Sequence, residues 1–168
     1  MRMIIALALT GATLLSSCAD STSPGLIRGF AIYTLEDTTL SAAAVWNEPL
    51  ESLVLASRPF LTEKDLTSYI WRTHEFTVTA SVDSQLAAMK WAHGHTGGIP
   101  FVVVADDERV YLGAFWYAYS SLMPQVPYID VLLEPHRIWQ TTSPLMTEDK
   151  RSDPRIYRVL KASGIVHD

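Results

Sequence analysis

The chain has 168 residues, of which 48% are hydrophobic and 18% charged, enough apolar material for one ordinary domain and too much for intrinsic disorder. Its formal charge of −5, from 13 Lys and Arg against 18 Asp and Glu, argues against holding nucleic acid by phosphate neutralisation. One cysteine excludes a disulfide framework and any cysteine-rich zinc site.

Residues 1–18 read MRMIIALALTGATLLSSC. Arg2 comes first, an apolar stretch follows over residues 3–9, and small residues lead up to Cys18, the pattern of a secretory signal. Thr10, Gly11 and Thr13 break the apolar run, which falls short of the roughly 20 residues needed to span a bilayer. Its last four residues, Leu15-Ser16-Ser17-Cys18, resemble the lipobox of bacterial lipoproteins. The resemblance implies a diacylglycerol on the Cys18 thiol, removal of residues 1–17 as a signal peptide, and a mature protein beginning at Cys18.

Each buried methylene of an acyl chain contributes about 0.8 kcal/mol, so one chain anchors marginally and two anchor stably. The signal takes Arg2 with it, so the mature body is more acidic still. Anionic headgroups would repel such a body, and the lipid, not surface charge, must hold it. The expected location is the bacterial cell envelope, lipid-anchored, with the domain outside the cytoplasm.

Residues 18–27 include the small, polar run ADSTSPG and read as a flexible tether, with a single α+β domain over residues 28–168. Alternation predicts strands over 30–35, 53–56, 74–80 (Phe76 and Val78 on one face, Thr77 and Thr79 on the other) and 128–133. Residues 101–105 are almost wholly apolar, as in a central strand covered on both faces. Asp106-Asp107-Glu108 then reads as a tight turn into a partner strand over 110–116.

Helices are expected over 63–70 behind a Thr62 cap, over 83–92 behind Asp83 with Gly94 beyond its end, and after Asp153-Pro154. The last has an Ile156, Val159, Leu160 stripe and is followed by Gly164. Residues 135–152 read as a long surface loop, part of which packs down through Ile138 and Trp139. The fold class is α+β: a single mixed, mainly antiparallel sheet with helices packed on one side.

The sequence holds no Gly-x-Ser-x-Gly elbow, phosphate loop or dinucleotide fingerprint. His74-Glu75 opens like a zinc-protease helix, but the position four beyond His74 is Val78, and the segment reads as strand. His93 and His95 alternate around Gly94, yet two ligands do not make a zinc site, and His136 and His167 have no sequence relation to them. They read as a polar loop.

Ser120-Ser121 is the serine pair after the signal, suited to a turn before Pro124 or to hydrogen-bonding a ligand. Among the aromatic residues, Phe115 and Trp91 read as core, while Trp116 and Tyr119 could be core or platform. The candidate ligand-binding set is Trp71, His74, Tyr111, Trp116, Ser120 and Ser121. Cys18 is the lipidation site. No catalytic residue, metal or cofactor is expected.

Residues 69–76 (YIWRTHEF), 98–104 (GIPFVVV), 109–116 (RVYLGAFW), Ser120-Ser121 and the Asp153-Pro154 to Gly164 tail together resemble a family of uncharacterised bacterial lipoproteins. The element order is distantly similar to the periplasmic head of the Sec translocon's accessory subunit, a likeness of fold alone. The motifs carry no known activity; the leading reading is a membrane-anchored envelope lipoprotein with a non-catalytic α+β domain that binds a partner protein or small ligand. The alternative is an envelope hydrolase or metal-binding protein using His74, His93 and His95 with Ser120 or Ser121.

Overall fold

A computed structural model describes residues 28–89, 96–141, 143–144 and 148–168. Among them nine strands form one mixed sheet: β1 (Phe30–Thr34), β2 (Leu61–Thr62), β3 (Leu66–Ile70), β4 (Glu75–Val78), β5 (Ile99–Ala105), β6 (Glu108–Trp116), β7 (Tyr128–Asp130), β8 (His136–Trp139) and β9 (Val166–His167). Three helices accompany it: α1 (Ala42–Val45), α2 (Ala80–Met89) and α3 (Pro154–Ala162). The strand order is β2-β1-β5-β6-β7-β8-β4-β3-β9. Neighbours are antiparallel except β6–β7 and β3–β9.

The centre follows from β5, whose alternate residues enter two different cores. Phe101 and Val103 pack with Phe30, Ile32 and Phe115 on one face, while Val102 and Val104 pack with Ala31, Tyr33 and Trp116 on the other. The β5–β6 hairpin turns on Asp106 and Asp107, both left-handed at φ 59° and 66°, the two-residue geometry that matches strand twist. At the other end of β5, Gly98 has φ +75°, and a Cβ there would lie 2.5 Å from the Trp116 ring. Only glycine fits.

The sheet curls. α3 touches β9 at one edge and also β1 and β5 near the other. A flat sheet of nine strands at about 4.8 Å spacing would be several helix diameters across, so one helix could not reach both. Consistent with a half-barrel, Ile32 and Leu61 from one end and Leu66, Tyr69 and Phe76 from the other line a common interior space. Val82 and Leu86 of α2 and Ile156 and Leu160 of α3 enter this first core, whereas Ala42 and Val45 of α1 enter the second. Asp153 caps α3 by accepting from Arg155 N at 2.9 Å, with Pro154 at its first position.

Four expectations are corrected. Residues 63–70 are not a helix. Asp65 Oδ2 accepts from both Thr62 N and Thr62 Oγ1, closing a turn, and Leu66–Ile70 pairs as β3 with β4. The Thr-x-x-Asp signal serves a turn as well as a helix cap, and the β-branched and aromatic residues that follow suit a strand.

Residues 53–56 make one bridge, Leu35 to Leu55, closed by Glu36 N on Val54 O and Ala56 N on Thr34 O, while Arg109 takes the Leu50 and Leu53 carbonyls on the other side. Residues 135–152 are not all loop: β8 forms there, burying His136 and Ile138 in alternation. α2 starts at Ala80, since Asp83 N already bonds Thr79 O. The expected end of that helix, with Trp91, Gly94 and the pair His93 and His95, lies outside the described residues, as does Cys18. Among the described residues no helix is long and apolar enough to cross a membrane.

Candidate functional site

The β3–β4 connection places the first site. Residues 71–74 turn the chain, and His74 closes the turn in the left-handed region at φ 55°. That conformation aims the imidazole inward, where it is 4% exposed. The Tyr69 hydroxyl lies 3.0 Å from His74 Nδ1, and Ser152 Oγ lies 3.5 Å from Nε2. Trp71 meets the imidazole edge-on at 5.5 Å and the Tyr157 ring of α3 at 4.9 Å.

Above this cluster Arg151 grips Asp149 with two nitrogens at 2.8 and 2.7 Å and donates to Ile138 O at 2.8 Å. Burial, with the Arg151 charge adding to it, lowers the His74 pKa to about 4. Burial pushes the Tyr69 and Tyr111 phenols up, so both stay protonated at neutral pH. The bidentate bond from Arg151 holds Asp149 below the usual carboxylate range. The neutral ring carries one proton and meets the phenol at Nδ1 and the Ser152 hydroxyl at Nε2.

This arrangement is a neutral hydrogen-bonded joint between the β3–β4 turn and the segment leading into α3. A nucleophilic triad needs an acceptor carboxylate behind the histidine, and His74 has a phenol there. Three of the six candidate residues, Trp71, His74 and Tyr111, belong to this neighbourhood. The Tyr111 hydroxyl is buried with no protein partner. Trp116 lies in the second core, 5% exposed, and is thus a packing residue.

Ser120 Oγ donates to Thr96 O at 2.6 Å and accepts from Leu122 N, closing a local turn, and Ser121 is exposed beside it. His74 and Ser120 therefore have separate partners. Among the described residues no three His, Cys, Asp or Glu side chains gather to hold a metal.

The helix expected over 63–70 concealed Tyr69, whose strand register opposite Phe76 is what points it at His74. Nothing in the sequence marks Ser152 or the Asp149–Arg151 pair. Phe115 is core as expected, and Tyr119 is 58% exposed.

Exposed apolar residues gather elsewhere. Tyr119, Leu122 and Met123 follow β6, and Leu132 and Leu133 follow β7, which runs parallel to β6 with Asp130 beside Trp116. Between Val110 and Leu133 the one charged residue is Asp130, which is buried. The chain enters the sheet at the opposite end: Phe30 pairs with Ala105, and Arg28 bonds Asp107 in the β5–β6 turn.

No protein-family model, curated protein or solved structure matches this chain.

Proposed function

We propose that the chain is a bacterial envelope lipoprotein, held at a membrane through acylated Cys18, whose α+β domain binds a partner outside the cytoplasm. The lipobox resemblance of Leu15-Ser16-Ser17-Cys18 supports the anchor. The observation that carries the binding role is the opposition of the two sheet ends. The chain enters beside the Asp106–Asp107 turn, while Tyr119, Leu122, Met123, Leu132 and Leu133 are exposed at the far end of β6 and β7.

Strands of β5's length span roughly 20 Å, so the chain entry and the exposed apolar segments after β6 and β7 lie at opposite ends of the sheet. Exposed apolar groups gathered at one place are the usual mark of an interaction surface. In this reading the two longer helices, α2 and α3, back one side of the sheet. The molecule is then a binding domain joined to its lipid anchor through residues 18–27.

Fractionation of cells carrying the wild-type and Cys18→Ala chains tests the anchor, with the variant expected to leave the membrane fraction. A photo-crosslinker at position 123 is expected to join a partner protein in intact cells, and one at position 107 is not. Equal crosslinking at both positions would contradict the binding role of the far end.

A further inference from the structure

We draw no further inference here: the strongest candidate, the apolar hollow between the end of β1, the start of β5 and the end of α2 that Leu35, Leu40, Phe60, Met89, Ile99 and Pro100 line, has nothing in the structure to show what covers it.

Discussion

The Tyr69 hydroxyl and His74 Nδ1 are 3.0 Å apart inside a cluster where both side chains are buried. Tyr111, in the same neighbourhood, has a hydroxyl with no protein partner. The two tyrosines should therefore respond differently to loss of oxygen. Tyr69→Phe strands a buried ring nitrogen and is expected to cost about 1–3 kcal/mol. Tyr111→Phe removes a hydroxyl already unpaired and is expected to cost less than about 0.5 kcal/mol, or to stabilise. Urea unfolding of the full chain measures both, and the reverse order would contradict the assigned hydrogen bond.

The same histidine gives the fold a pH dependence. His74 has a folded pKa of about 4 against 6.5 when unfolded, so between those values the unfolded chain binds the extra proton. Stability is then full above pH 6.5, falls as pH drops toward 4, and levels off below it. The span corresponds to at most about 3 kcal/mol. Asp149 and Asp153, both lowered by arginine hydrogen bonds, act in a lower window, losing their contribution as pH falls below the ordinary carboxylate value. His74→Asn, which tolerates the left-handed backbone, should flatten the slope between pH 6.5 and 4 and leave the acidic limb in place. An unchanged slope would remove His74 from the account.

What was legible in the sequence tracks how locally each signal is decided. The apolar run at 101–105, the Asp106–Asp107 turn and the Asp153-Pro154 start of α3 are fixed by residues within a few positions of one another, and all form. Thr62 to Ile70 carries a local signal with two meanings, and pairing of Tyr69 with Phe76 in the neighbouring strand and with distant Val166 selects the strand. β8 is legible only through its partners, because four residues with two buried side chains resemble any loop. The site falls in the same class. His74 and Ser152 are 78 positions apart.

The central strand offers a direct test of the core. Val103 is 0% exposed and packs among Phe30, Ile32 and Phe115. Val103→Asp would bury a carboxylate among hydrocarbon, at a cost of several kcal/mol against a typical domain stability of about 5–15 kcal/mol. Loss of the cooperative thermal transition is expected. A melt near the wild-type temperature would mean the strand is not central.

Metal removal should have no effect on the fold. The two hydrophobic clusters on either side of β5 and β6 supply a core that does not rely on an ion, unlike small zinc domains whose folding depends on the metal. Thermal unfolding of the full chain is expected to be the same with and without a strong chelator. A drop of many degrees, reversed by zinc, would show a dependence on metal.

The lipid on Cys18 is the claim on which the envelope reading turns, and metabolic labelling of cells with a clickable fatty-acid analogue tests it most directly. The wild-type chain is predicted to take up label and to begin at Cys18 by mass spectrometry, and the Cys18→Ala chain is predicted to remain unlabelled. Equal labelling of the two chains, or an unlabelled wild type that still carries residues 1–17, would contradict it.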